Sequence, residues 1–221
     1  MNTYKEYIAE FIATFALIFF GAGSVVMAGL LNPSYGVLGV ALAHGLILMA
    51  MIYATGHISG AHINPAVTVA MALVKKIQPL KAVKYIIAQL AGASTAGFIL
   101  LIIFPVMPSN LGTTDLASNI SFSTGILIEA ILTFFLVFVI FNTAVEKHEN
   151  NTMAGFAIGM TLAVSILFGG ALTGASLNPA RSFGPALASG HWANQIVYWI
   201  GPIVGACIAG LVYEFVLKKK Q

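Results

Sequence analysis

The sequence predicts an all-α membrane protein of six transmembrane helices and two re-entrant half-helices in an inverted repeat. Of its 221 residues, 59% are hydrophobic and only 8% are charged, against roughly a quarter charged in a soluble domain. A soluble globule is excluded. Six apolar runs, about 7–30, 36–56, 82–104, 122–143, 153–170 and 193–216, approach or exceed the roughly 20 residues that a helix needs to cross a bilayer. Two shorter apolar pieces, Asn64 to Val74 and Asn178 to Ala188, both begin Asn-Pro-Ala.

The first run follows a single lysine, Lys5, and exceeds the roughly 7–15 residues of a signal-peptide core. It reads as a retained span. The short pieces, written as helix, are about 16 Å long, half the roughly 30 Å hydrocarbon layer, so neither crosses alone. The third and sixth runs carry small residues four apart, Ala93 to Gly97 and Ala206 to Gly210, the spacing of closely packed membrane helices.

Charge orients the runs. Lys75, Lys76, Lys81 and Lys84 lie between the first short piece and the third run or at that run's start, Lys147 lies in the 144–152 loop, and Lys218, Lys219 and Lys220 form the tail. The alternate loops near 31–35, 105–121 and 189–192 carry no Lys or Arg, so both termini are expected in the cytoplasm. The formal charge of +3 resides in lysines that flank apolar runs without interleaved aromatics, which argues against a nucleic-acid partner. Cys207 is the single cysteine, so no internal disulfide or multi-cysteine metal site exists. No nucleophile–base pair, metal cluster or glycine-rich phosphate loop appears; no enzyme activity and no cofactor are expected.

The halves repeat. Glu10-Phe11-Ile12-Ala13-Thr14-Phe15 matches Glu129-Ala130-Ile131-Leu132-Thr133-Phe134, and Asn64-Pro65-Ala66 matches Asn178-Pro179-Ala180. One domain, 1–221, thus divides into a first repeat, 1–104, and a second, 105–221. With three spans per repeat, the second is inverted, and the two short pieces meet near mid-membrane.

Asn is a favoured N-cap and Pro a favoured first helical residue, so each Asn-Pro-Ala starts a helix. One copy reads as an ordinary cap; two at equivalent points of a repeat do not. Irregular backbone at 59–63 and 173–177 is tolerated at that depth only when buried in protein or lining a water-filled cavity. Facing helix N-termini disfavour cations, hydrated protons included. Neutral solutes pass.

Arg181 is an intramembrane cation and reads as cavity-lining. Glu10 and Glu129 raise a proton-relay hypothesis, but the irregular loops supply N–H groups in need of acceptors, and loop support is the stronger reading. His44 is open between a packed histidine and a cavity residue, and His57 and His62 between vestibule and support. His148 and His191 read as solvated.

Ser59-Gly60 through Asn64-Pro65-Ala66-Val67-Thr68, then Asn178-Pro179-Ala180-Arg181-Ser182-Phe183-Gly184-Pro185-Ala186 and Tyr198-Trp199-Ile200-Gly201-Pro202 resemble the aquaporin family of water and small-solute channels. The resemblance covers nearly the whole chain. It implies an aquaporin-like fold, a homotetramer with a pore in each subunit, loop support by Glu10 and Glu129, and a central pore at Asn64, Pro65, Ala66, Asn178, Pro179 and Ala180, the asparagines donating to water.

It also implies an outer constriction of four residues, carried over by spacing from the asparagines: His44, Ile166, Ala175 and Arg181. Typical water-only members have an aromatic residue and a histidine at the first two positions. His/Ile/Ala/Arg is similar to some tonoplast intrinsic proteins, a group that also passes ammonia, urea, hydrogen peroxide or glycerol. The loop histidine that assists ammonia in some of them has no counterpart in 105–121.

Ile166 and Ala175 predict a wider, less water-selective pore, and His44 supplies a group that titrates near neutral pH. Ser182, Ala186, Tyr198 and Trp199 resemble water-type members, whereas glycerol facilitators usually have Asp after the arginine. The expectation is a passive water channel in the lipid bilayer that also conducts a small neutral solute such as ammonia and excludes ions and protons. A glycerol or urea facilitator is the alternative within the class, and an ion-coupled secondary transporter the alternative outside it. Short termini and lysine-only tails suggest a prokaryotic plasma membrane.

Overall fold

Without water in the bilayer core, backbone polar groups must satisfy one another, and helices do this within one segment. A computed structural model describes residues 3–31, 36–106, 108–146 and 151–218. The six long runs are helices: α1 (Thr3–Leu31), α2 (Gly36–Ser59), α4 (Pro79–Ile103), α5 (Phe122–Ile140), α6 (Ala154–Thr173) and α8 (Val197–Val212). The half-helices are α3 (Pro65–Leu73) and α7 (Pro179–Ser189). No strand occurs among the described residues.

The helix ends depart from the apolar runs where caps, and not hydropathy, set them. Helix α4 starts at Pro79, ahead of the apolar run, because proline suits the first helical position. Helix α6 continues to Thr173, where Gly174 turns left-handed and stops it. Helices α5 and α8 end in π-helical turns, Phe141–Val145 and Tyr213–Leu217, with Phe141 stacked on Tyr213 at 4.9 Å between centroids.

The half-helices have 9 and 11 residues, about 14 and 16 Å of helix, and together match one hydrocarbon thickness. Helix α3 packs on α8 and α7 on α4, so each half-helix rests on a span of the other half. Around them α1 packs on α2 and α4, α2 on α6, and α5 on α8. Lys76 pairs with Glu214 at 3.8 Å and Lys81 with Glu6 at 2.8 Å, which gathers these lysines with the ends of α1 and α8.

Small residues make the seams. A Cβ at Gly205 would strike the Ala130 carbonyl oxygen on α5, and one at Gly97 the Gly184 carbonyl oxygen on α7. Gly210, expected in the same role, is looser: its nearest neighbours would lie 3.3–3.5 Å from a Cβ, and they are side-chain atoms of Phe141 and Val74, not backbone. Outside, large apolar side chains stay exposed, among them Phe20, Ile87, Ile102, Leu127, Phe135, Val164 and Phe168. Such a belt belongs against lipid, and the chain is an integral, multi-pass membrane protein.

Gly205→Ala is expected to lower thermal stability in detergent by about 1–3 kcal/mol through overpacking. Gly56→Ala is the control, because a Cβ there meets nothing within 4 Å. Equal melting temperatures for the two variants would contradict the seam.

Candidate functional site

Two irregular loops precede the half-helices with the same backbone pattern. Gly60, Ala61 and Ile63 take φ of 88°, 49° and 58°; Gly174, Ala175 and Leu177 take 80°, 45° and 55°. Positive φ strains any residue with a Cβ, and a β-branched isoleucine most. A buried carboxylate holds each loop in this conformation. Glu10 accepts from the Ser59 hydroxyl and His62 N–H on one oxygen, and from the Ile63 N–H and Gln89 amide on the other, at 2.7–2.9 Å. Glu129 accepts from Thr173 and the Ser176 N–H on one oxygen and from the Leu177 N–H on the other, at 2.7–2.9 Å. Tyr85 and Tyr198 donate to the Ser59 and Thr173 carbonyls, both at 2.8 Å.

The loops aim the two half-helices at each other. Asn64 caps α3 by accepting from the Ala66 N–H at 2.8 Å, and Asn178 caps α7 by accepting from the Ala180 N–H at 3.0 Å. Each side-chain amide then crosses to the opposite loop: Asn64 donates to the Leu177 carbonyl at 2.8 Å and Asn178 to the Ile63 carbonyl at 3.0 Å. One N–H of each amide is used in the crossing. Both asparagines line a narrow cavity, and each helix N-terminus contributes roughly half a positive charge there.

That cavity, about 50 Å³, runs from His44 and Arg181 past the asparagines to Ile140 and Ala144. Its wall is two-sided. Leu17, Leu48, Val67, Leu136, Ile158 and Leu162 make it apolar, while the 60–63 loop, Ser176 and the asparagines make it polar. A wider cavity of about 460 Å³ lies beyond, lined by Ile166, Gly170, Gly174, Gly112 and Asp115. Arg181 alone among the described residues lines both.

Arg181 is 3% exposed and donates from Nη1 to the Gly112 carbonyl at 2.6 Å. No carboxylate lies within 4.0 Å of it among the described residues, so its charge is not neutralised by an ion pair. The His44 Nδ1 donates to the Val40 carbonyl at 2.8 Å, because a carbonyl can only accept; the neutral ring therefore keeps Nε2 as an acceptor. His62 behaves alike. Thr68 spends its proton on the Asn64 carbonyl, so the His62 Nδ1 donates to Thr68 at 3.1 Å. His62 is both cavity-lining and a loop support, whereas His57 is exposed at the end of α2.

Of the four residues expected at the outer constriction, His44 and Arg181 share the narrow cavity, and Ile166 and Arg181 share the wide one. Ala175 is buried and lines neither. Pro65, Ala66, Pro179 and Ala180 are buried behind the asparagines as the first turns of the half-helices. His148 lies outside the described residues.

The sequence reading missed three features. Gly21 makes room for His44: a Cβ there would lie 2.6 Å from the imidazole. Gly112, at φ 74°, brings its loop so close to α1 that a Cβ would strike the Ala22 carbonyl oxygen. His191, expected to be solvated, instead donates from Nε2 to Asp115 at 2.7 Å, and Asn194 donates to the same carboxylate at 2.8 Å. The nearest local signal was Asp115 as the lone charge in 105–121; its partners lie more than 70 residues away.

The model of the major intrinsic protein family matches residues 1–213. Over 217 residues the chain is 45% identical to aquaporin-4 of Mus musculus, covering 96% of this chain and 67% of that protein. It is 41% identical over 216 residues to aquaporin TIP4-4 of Zea mays, covering 95% and 85%. It is 40% identical over 235 residues to the probable aquaporin TIP3-2 of Arabidopsis thaliana, covering 98% and 85%. Among solved structures, the aquaglyceroporin from Plasmodium falciparum matches with a TM-score of 0.86 at 25% identity, over 98% of each chain.

Two outcomes follow from these bonds. Glu129→Gln replaces one acceptor oxygen by a donor facing donors, and is expected to destabilise the protein by about 1–3 kcal/mol, read as thermal unfolding in detergent; an unchanged midpoint would refute the support role. At Asp115, burial works to raise the carboxyl, but hydrogen bonds from Asn194, His191 and the Leu116 N–H outweigh it and hold it below the usual carboxylate range. A folded-state value below the unfolded one stabilises above about pH 4 and is lost as pH falls through the folded value. Asp115→Ala is therefore expected to melt below the wild type at pH 7, with the gap closing on acidification below about pH 4.

Proposed function

The chain belongs to the major intrinsic protein family, whose members are channels and not enzymes, and we propose that it conducts water passively, with ammonia as a second neutral solute, and excludes ions and protons. The observation that carries this reading is the narrow cavity with a polar strip, an apolar wall and Arg181, which makes no ion pair among the described residues, where it meets the wide cavity. The polar strip replaces part of the hydration of a passing molecule, and the apolar wall keeps binding weak enough for release. Arg181 and the two helix N-termini put positive potential where a cation would have to shed its water. A neutral molecule meets no such barrier.

Under this reading His44, Ile166, Ala175 and Arg181 form the outer constriction, Asn64 and Asn178 hold the central water, and Glu10 and Glu129 serve as loop supports. The protein is a homotetramer of two-repeat subunits, 1–104 and 105–221, with both termini cytoplasmic. The similar proteins are from an animal and from plants, which lends no support to the expected prokaryotic plasma membrane. A second reading, a glycerol or urea facilitator, is favoured by Ile166, which lines the wide cavity with an apolar wall. Against it, Ser182 occupies the place after the arginine, hydrogen-bonded to Thr114 and Ser176.

Proteoliposomes separate these readings. Light-scattering shrinkage is expected to be fast against an impermeant osmolyte, internal alkalinisation fast with ammonia, and re-swelling absent with glycerol. Rapid glycerol re-swelling would make the protein a broad solute facilitator. Solute uptake against a gradient, abolished by an ionophore, would make it an ion-coupled transporter.

A further inference from the structure

Resting on the constriction reading above, we propose that Asp115, held by His191 and Asn194, is a positioning residue that sets the place of the Arg181 guanidinium and so the cut-off between water and larger neutral solutes. Among the described residues the guanidinium has one hydrogen-bond partner, the Gly112 carbonyl at 2.6 Å, while its buried Nε has none. Its place therefore follows the place of Gly112. That residue belongs to the 108–121 connection, which contributes Gly112, Thr113, Thr114 and Asp115 to the lining of the wide cavity.

The connection is fastened along its length, and past Asp115 the Ala117 N–H donates to the Leu172 carbonyl of α6 at 2.9 Å. At Gly112 it is wedged against the Ala22 backbone of α1. At Asp115 it is tied to the segment after α7: the carboxylate takes His191 on one oxygen at 2.7 Å and Asn194 on the other at 2.8 Å. Between these points Thr113 meets Ser189 at 3.2 Å and Thr114 meets Ser182 at 2.5 Å. Ser182 is the neighbour of Arg181 in α7, and Ser189 ends that helix. The carboxylate clasp thus fixes the same short strap that carries both the acceptor of Arg181 and the partner of Ser182. It does so from a partly exposed position outside the narrow cavity.

Loosening the clasp frees Gly112 on the side away from α1, and the guanidinium then has room to swing toward the wide cavity. A wider passage admits urea more than it speeds water, since water already fits.

The test is the ratio of urea to water permeability in proteoliposomes, which does not depend on how much protein folds or inserts. Asp115→Ala and His191→Ala are expected to raise it about twofold or more, the low end of coupling within one hydrogen-bond network. Asp115→Asn, which retains an oxygen for Asn194 and a polar partner for His191, is expected to stay near the wild type. Arg181→Ala raises the ratio by itself, and Asp115→Ala added to it raises it no further.

A wild-type ratio in Asp115→Ala and His191→Ala, with Arg181→Ala raised, overturns the clasp and leaves the constriction standing. An unchanged ratio in Arg181→Ala overturns the constriction itself. A further rise in the double variant shows that the clasp acts by a route other than Arg181 and overturns the proposal. Should Arg181→Ala fail to insert, the contrast of Asp115→Ala with Asp115→Asn decides, and equal ratios there overturn it.

Discussion

Two buried carboxylates make the rest of this structure possible. Non-helical backbone at membrane depth leaves N–H groups without water to accept them, and a buried carboxylate without partners is as costly as they are. Glu10 and Glu129 each meet this double demand at 0% exposure. Each ties down consecutive N–H groups, at His62 and Ile63 in one loop and Ser176 and Leu177 in the other. Those bonds hold the loops through positive φ, including Ile63, which would not adopt it unaided.

Once the loops are held, the half-helices face each other and the asparagines complete the centre. Each asparagine uses its oxygen to cap its own helix and one N–H to bind the opposite loop. The polar groups at the centre are thereby engaged by one another, and what is left to the cavity is a thin polar strip opposite apolar side chains from α1, α2, α5 and α6.

The two halves are alike at their carboxylates and differ in what surrounds them. In the first, Gln89 on α4 binds both Glu10 and Thr68. In the second, the position matching Gln89 is Pro202, four residues after Tyr198, and the hydroxyl pair Ser176 and Ser182 is completed by Thr114 from the 108–121 connection. The same connection supplies the acceptor of Arg181. Asymmetry therefore enters where the wide cavity meets the narrow one.

The six spans, the half-helices and the helix starts at Asn64 and Asn178 were legible in the sequence, because apolar length and Asn-Pro caps act within windows of some 20 residues. Arg181 was legible because a cation in an apolar stretch has few tolerable surroundings. Helix ends at Pro79 and Thr173, the tie of His191 to Asp115 and the fit of Gly21 to His44 were not. Each depends on partners brought together by packing, such as Asn64 and the Leu177 carbonyl, 113 positions apart. Local pattern thus determined which segments enter the membrane and where the half-helices begin. Which side chains face the cavity, and which hold its walls, was decided when glycine seams brought distant helices into contact and set buried donors against acceptors far away in the sequence.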